Sequence, residues 1–227
     1  MRSIVIGDIH GCYKNLKELL NTVNFQEKTD RLISLGDLMD RGKQSYEVFD
    51  FFRKLKLQIN DRAVIIRGNH EQMLLDAAED INEKVLWYMN GGKETIKSFK
   101  RHMDNAEVHA QWMKKNTVLY YQDKYFQCVH AGIFYEEPEM NPADTLLWDR
   151  NALQENTYRG RLTIVGHTPL TRPAYMDGKG GEKIAVVKGK MQALPKQGMI
   201  CIDTGCVFGG TLTAMVIEED SFYLVSQ

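Results

Sequence analysis

The chain has 227 residues, 43% of them hydrophobic and 26% charged, with a formal net charge of −1. That composition excludes a disordered chain, and it lacks the basic excess that a general nucleic-acid coat protein needs for phosphate contacts. Four scattered cysteines (Cys12, Cys128, Cys201 and Cys206) form no CxxC pair, which argues against both a disulfide scaffold and a structural zinc site. No apolar run approaches the roughly 18 residues of a spanning helix. The N-terminus enters a strand pattern at Ser3-Ile4-Val5-Ile6, leaving no room for a signal peptide. One domain over residues 1–227 in a reducing cytoplasm is the expectation.

In chain order, one pattern comes three times in the first third. Ile4-Val5-Ile6 leads into Gly7-Asp8-Ile9-His10-Gly11, and Leu16, Leu19, Leu20 and Val23 follow at helical spacing. Residues 31–35 lead into Gly36-Asp37-Leu38-Met39-Asp40-Arg41-Gly42, then Val48, Phe49, Phe52 and Leu55 mark a second helix. Residues 63–66 lead into Arg67-Gly68-Asn69-His70-Glu71 and a Leu/Ala-rich helix. Alternating strands and helices predict βαβ units in a largely parallel sheet, with ligands outside the carboxyl ends of the strands. Residues 81–115 read as a helical insertion broken at Gly91-Gly92. A hairpin over 117–121 and 125–129 follows, then strands at 162–165, 184–187, 199–202, 211–217 and 222–225. These late strands predict a second sheet packed on the first. Residues 172–196 carry six Lys/Arg and read as a mobile basic loop or hairpin, with a lid over the crevice as one expectation and a solvated hairpin as the other.

The loops after these strands hold the chemistry. Asp8, His10, Asp37, Asn69, His130 and His167 supply two carboxylates, three imidazoles and one amide oxygen to one crevice. Mixed N/O donors suit Mn²⁺, Fe or Zn²⁺ better than Ca²⁺. A carboxylate can bridge two ions about 3.5–4 Å apart, as two-metal hydrolases require. Any one Asp-Gly or His-Gly pair is ordinary turn chemistry. Five such loops together point to a site.

The motifs GDIHG, GDLMDRG, RGNHE, VHAG and VGHTP resemble the successive signatures of the phosphoprotein phosphatase family of metallophosphoesterases. Trp87-Tyr88-Met89-Asn90-Gly91-Gly92, Leu147-Trp148-Asp149-Arg150 and Ile202-Asp203-Thr204-Gly205 extend the likeness toward its phage-lambda-type bacterial serine/threonine phosphatases. The resemblance implies an α/β calcineurin-like β-sandwich, two mixed sheets flanked by helices, with the helical insertion around 80–115. It also implies two divalent ions, foremost Mn²⁺. Asp8 and His10 would hold the first, Asp37 would bridge, and Asn69, His130 and His167 would hold the second. His70 is then the general acid, paired with and oriented by Asp40, while Arg41 and Arg150 clamp phosphate through planar donors. The implied activity is dephosphorylation of phosphoserine and phosphothreonine, with phosphotyrosine and phosphohistidine as further candidates, by direct attack of a metal-bridging hydroxide.

The expected partner is a phosphorylated protein or peptide, with no stable nucleic-acid or membrane partner. A first rival is hydrolysis of diadenosine tetraphosphate-type nucleotides, whose hydrolases share GDIHG. Their pattern lacks the Asp of GDxxDRG and departs at the position of Glu71, so both features here favour the phosphatase. A second rival is a non-catalytic metal-binding scaffold, which the presence of all six ligands opposes. For Arg150, packing on Trp148 is the competing role. Arg67 reads as structural, Asp203 as support for the site and Glu71 as a group orienting a neighbouring loop. Cys12 reads as a small buried thiol, Trp87 as core or groove wall, and His102 and His109 as exposed without partners.

Overall fold

A computed structural model describes residues 1–182 and 184–227. Strands β1 (Ser3–Ile6), β2 (Arg31–Ser34) and β3 (Ala63–Ile65) run parallel, and each is followed by a helix: α1 (Tyr13–Thr22), α2 (Ser45–Ile59) and α3 (Asn69–Glu79). Period 2 along a strand sends neighbours to opposite faces. Thus Val5 joins the core between the sheets, whereas Ile4 and Ile6 pack under the helices. Both faces are covered, which is why β1 reads as an unbroken apolar run. On α2, Val48, Phe49, Phe52 and Leu55 fall on one buried face. Burying each Phe ring stabilises by roughly 1.5–3 kcal/mol.

The insertion comprises α4 (Ile81–Trp87), α5 (Lys93–Arg101) and α6 (Ala110–Asn116). Between α4 and α5 the chain kinks at Gly91, which has φ of 107°. A side chain there would also lie 2.7 Å from Arg41 Cγ and N, so glycine serves both the kink and the approach of the Arg41 loop. His102 and His109 are not free in solvent. His102 stacks on Tyr46 at 4.1 Å and faces Glu47, while His109 bonds Asp104 at 2.8 Å and packs on Phe49. Helical spacing alone hides such partners, because they come from α2 and a turn.

The remaining elements are β4 (Tyr120–Gln122), β5 (Gln127–Val129), α7 (Ala143–Trp148), α8 (Asn151–Glu155), β6 (Thr163–Val165), β7 (Ala174–Met176), β8 (Ile184–Ala185), β9 (Gln192–Ala193), β10 (Met199–Cys201), β11 (Thr213–Glu218) and β12 (Ser221–Ser226). They complete two mixed six-stranded sheets, ordered β3-β2-β1-β11-β12-β9 and β4-β5-β6-β10-β7-β8. Val5, Ile33, Ile164, Ile200, Met215 and Leu224 meet between the sheets, and α7 and α8 cover the outer face of the second. Because β5, β6 and β10 are mutually parallel, their carboxyl ends gather on one side, as do those of β1, β2 and β3.

Residues 172–196 are edge structure. β7 pairs with β10 and β8, whereas β9 pairs with β12, so the segment passes from the rim of one sheet to the rim of the other. None of its described residues lines the crevice, so the lid expectation does not hold for them. Lys183 lies outside the described residues. Among these residues no helix is long and apolar enough to cross a membrane.

Candidate active site

The loops after β1, β2, β3, β5 and β6 converge on two contiguous recesses of about 110 and 280 Å³ that share Arg41, Arg150 and His167. Backbone strain is concentrated there. Five of the ten described non-glycine residues with positive φ are His10, Asp37, Asp40, Arg41 and His167. Such conformations cost energy and persist where surrounding contacts over-determine them. Here the contacts are Asp37 O accepting from His10 N at 2.8 Å, and the Asp8 carboxylate accepting from His167 N at 3.0 and 3.1 Å.

Two imidazoles have fixed tautomers. His130 Nδ1 donates to Leu35 O at 2.7 Å and His10 Nδ1 to Met39 O at 2.8 Å, which leaves each Nε2 with its lone pair facing the recess. His130 Nε2 lies 3.0 Å from Asn69 Oδ1 and 3.2 Å from His167 Nδ1, with Asp37 Oδ1 at 3.5 Å. Asn69 Oδ1 and His167 Nδ1 are themselves 3.0 Å apart. His10 Nε2 faces Asp37 Oδ2 at 3.3 Å and accepts from Arg41 Nη1 at 2.5 Å. Asp37, His130 and His167 therefore make one compact donor group, and His10, Asp37 and His70 a second. Asp37 belongs to both. Converging acceptors repel one another unless a cation lies between them, and this donor set fits divalent ions with N/O preference. Asp8 borders the same recess but stands outside both compact groups, because its oxygens are turned to the His167 backbone.

His70 occupies the first turn of α3, directly over Asp37. Its Nδ1 meets Asp40 Oδ2 at 2.7 Å, and its Nε2 is buried, without a hydrogen-bond partner among the described residues, 3.9 Å from Asp37 Oδ2. Asp40 is held from the insertion: Trp87 Nε1 donates at 2.9 Å to Oδ2, and Thr95 Oγ1 at 2.6 Å to Oδ1. The sequence reads Trp87 as core or groove wall and gives Thr95 no role, so both donors to Asp40 are found only in the fold. Glu71 accepts from Asp37 N, Leu38 N and Gly68 N at 2.8, 2.9 and 2.9 Å, tying the second loop to the third. That is the orienting role the sequence suggested. Arg67 spends its donors on Thr117, Gln72 and Lys114, as a structural residue would.

Arg41 and Arg150 both border the crevice. Arg41 lies over the Phe208 ring at 5.4 Å, and Arg150 donates to Thr168 Oγ1 at 3.3 Å. Trp148 presents an edge to His167 at 6.4 Å. Asp203 accepts from Gly205 N at 2.9 Å and shapes the loop toward Phe208. Cys12 is half-buried and its sulfur faces His10 O at 3.9 Å.

Charge crowding is pronounced. Burial pushes the Asp8 carboxyl well up, and Asp203 and Asp37 push it further. Burial, then the Asp37 charge, raises Glu71 to about 7 despite its three backbone donors. Burial also opposes ionisation of Asp37, but the imidazoles of His130, His70 and His10 outweigh it and hold that carboxyl well below its usual range. Burial, then His130, lowers His167 to about 3, and burial lowers His130 as well. Neutral His130 and His167 beside the ionised Asp37 are the protonation states in which these groups can ligate a metal, whereas for His10 burial is outweighed by the bond to Asp37, which raises it.

Residues 1–211 match the family model of calcineurin-like phosphoesterases. Serine/threonine-protein phosphatase 1 of Salmonella typhimurium is 29% identical over 225 residues, covering 94% of this chain and 91% of that protein. The symmetrical bis(5'-nucleosyl)-tetraphosphatase of Nitrosospira multiformis is 27% identical over 274 residues, covering 96% and 94%. Among solved structures, a metallophosphoesterase from Sphaerobacter thermophilus shares the fold with a TM-score of 0.64 at 18% identity, covering 99% of this chain and 88% of that one.

Proposed function

The chain belongs to the calcineurin-like phosphoesterase family, and on that premise we propose that it is a metal-dependent phosphomonoesterase acting on phosphoserine and phosphothreonine in proteins. The observation that carries this reading is the Asp40–His70 pair, with the buried Nε2 of His70 left without a hydrogen-bond partner over the donor groups. An alkoxide leaving from a serine or threonine needs a proton, and a positioned imidazole delivers one. Asp37, His130, His167 and Asn69 would hold one divalent ion, and His10 and Asp37 the other, with Asp8 beside it; Mn²⁺ suits these donors. When bound, such a pair supplies positive charge to phosphoryl oxygens and lowers the pKa of water. Arg41 and Arg150 offer planar donors to the remaining phosphoryl oxygens from the rim. Asp40 fixes the His70 ring so that Nε2, rather than Nδ1, meets the leaving oxygen.

A second reading, hydrolysis of dinucleoside tetraphosphates, draws on the Nitrosospira relative. Its alignment extends over 274 positions although this chain has 227 residues, so that relative carries insertions this chain lacks. The Salmonella alignment extends over 225. Length thus favours the phosphatase, as does the presence of Asp40. The discriminating experiment is phosphate release from a phosphoserine peptide against cleavage of diadenosine tetraphosphate by one Mn²⁺-reconstituted preparation. A higher kcat/KM for the peptide is expected, and preference for the dinucleotide would overturn the reading.

A further inference from the structure

A cationic hollow lies away from the crevice. It measures about 500 Å³ and is built from connections at the opposite end of the sheets, Glu136 after β5 among them. Lys124 and Tyr125 come from the turn between β4 and β5, Arg159 and Arg161 precede β6, Leu194 to Gln197 link β9 to β10, and Asp220 comes from the turn between β11 and β12. Arg161 and His167 flank β6 at its two ends, a separation of up to about 20 Å at ~3.3 Å per residue. A ligand in this hollow therefore does not reach the residues of the crevice.

Its charge is unbalanced in a chain whose net charge is −1. Lys124, Arg159, Arg161 and Lys196 face only Glu136 and Asp220, and among the described residues none of the four cations is in an ion pair. Two of the four are nevertheless positioned. Arg159 Nε donates to Gly178 O at 2.8 Å and Arg161 Nη1 to Asp123 O at 2.6 Å, which leaves each guanidinium further donors. The floor is stitched by backbone bonds, Leu162 N to Lys196 O and Gly198 N to Gly160 O. The hollow also has an apolar side, from Tyr125, which is 40% exposed and carries Lys124 Nζ over its ring at 5.1 Å, together with Leu194 and Pro195. Its volume is that of a small-ligand site.

We propose that this hollow is a second, non-catalytic binding site for an organic polyphosphate of nucleotide size. Its phosphates would lie on Arg159, Arg161 and Lys196, and its organic part on Tyr125, Leu194 and Pro195. The inference is independent of which phosphoester the crevice cleaves. ADP is the probe, titrated into the Mg²⁺-loaded protein while amide shifts in ¹H–¹⁵N spectra are followed. The amides of Tyr125, Gly160 and Gln197 are expected to shift together and saturably, and inorganic pyrophosphate is expected to bind there more weakly than ADP. Arg159→Ala with Lys196→Ala should weaken that binding at least about tenfold, since each removes a charged hydrogen-bond donor, while turnover of p-nitrophenyl phosphate stays unchanged. Glu136→Gln with Asp220→Asn should tighten it. ADP shifts confined to the crevice, equal binding of ADP and pyrophosphate, or indifference of the site to both pairs of substitutions would overturn the proposal.

Discussion

Asp40 and His70 meet at 2.7 Å, Oδ2 to Nδ1, with side-chain exposures of 0% and 1%. Neither residue is fixed by its own loop alone. Asp40 has a positive φ of 71° and is held by Trp87 and Thr95 of the insertion, while His70 is set by the first turn of α3. The insertion therefore carries the donors that fix the carboxylate behind the imidazole.

Trp87→Phe should lower kcat on a phosphoserine peptide more than on p-nitrophenyl phosphate, with KM little changed. The substitution keeps most of the buried ring but takes one donor from Asp40, so the destabilisation should be about 1–3 kcal/mol. Parallel steady-state kinetics and a urea melt measure both effects. Equal loss on the two substrates would mean that Trp87 acts only through packing.

Glu71→Ala should cost about 3 kcal/mol or more of stability, because it leaves three buried backbone N–H groups without an acceptor. It should also weaken Mn²⁺ binding by about 10–100-fold, the usual effect of losing a group that orients ligands. Gln should rescue only in part, since its oxygen can keep the bonds from Asp37 N and Gly68 N while its amide nitrogen would face Leu38 N. Calorimetric Mn²⁺ titration checks this, and an unchanged affinity would contradict the orienting role.

Gly68→Ala should reduce metal binding without unfolding the chain. Gly68 has φ of −88°, which alanine adopts freely, but its added Cβ would lie 2.6 Å from Asp37 N and closer still to Asp37 Oδ1. The displaced carboxylate belongs to both donor groups. Metal analysis after dialysis, read beside far-UV circular dichroism, separates loss of the site from loss of the fold.

Metal should also act as a stabilising ligand. Saturation to 100 times Kd adds about 2.7 kcal/mol, so Tm should rise with Mn²⁺ and fall with chelator. In Asp37→Asn the response should nearly vanish. A melting temperature indifferent to both Mn²⁺ and chelator in the parent protein would argue that the donor groups do not bind ions.

Much of this arrangement was legible in the residues. Strand runs such as Ile4-Val5-Ile6 and Arg31–Ser34 are short and followed by Gly-rich loops, so their ends, and with them Asp8, Asp37 and Asn69, could be placed from local pattern. β7 and β9 could not, because the pairing of Ala174–Met176 and of the edge strand Gln192–Ala193 is decided by β10 and β12, far from them in sequence. The partners of His102 and His109 were hidden for the same reason. Asp8 shows a finer limit. Sequence puts it beside His10, but only the fold shows its oxygens taken by the His167 backbone. Thr95, a lone threonine in a polar helix, carried no sign that its hydroxyl both donates to Asp40 Oδ1 and accepts from Asp40 N.

The role proposed for His70 is to protonate the leaving oxygen of a phosphomonoester. Its most direct test is the dependence of kcat on leaving-group pKa, measured for His70→Asn and the parent enzyme over a series from p-nitrophenyl to alkyl phosphates and a phosphoserine peptide. A loss of about 10²–10⁴-fold is expected on the peptide and a much smaller loss on p-nitrophenyl phosphate, so that the variant's dependence steepens. Parallel losses across the whole series would contradict it, and would place His70 with His10 and Asp37 as a metal-site residue.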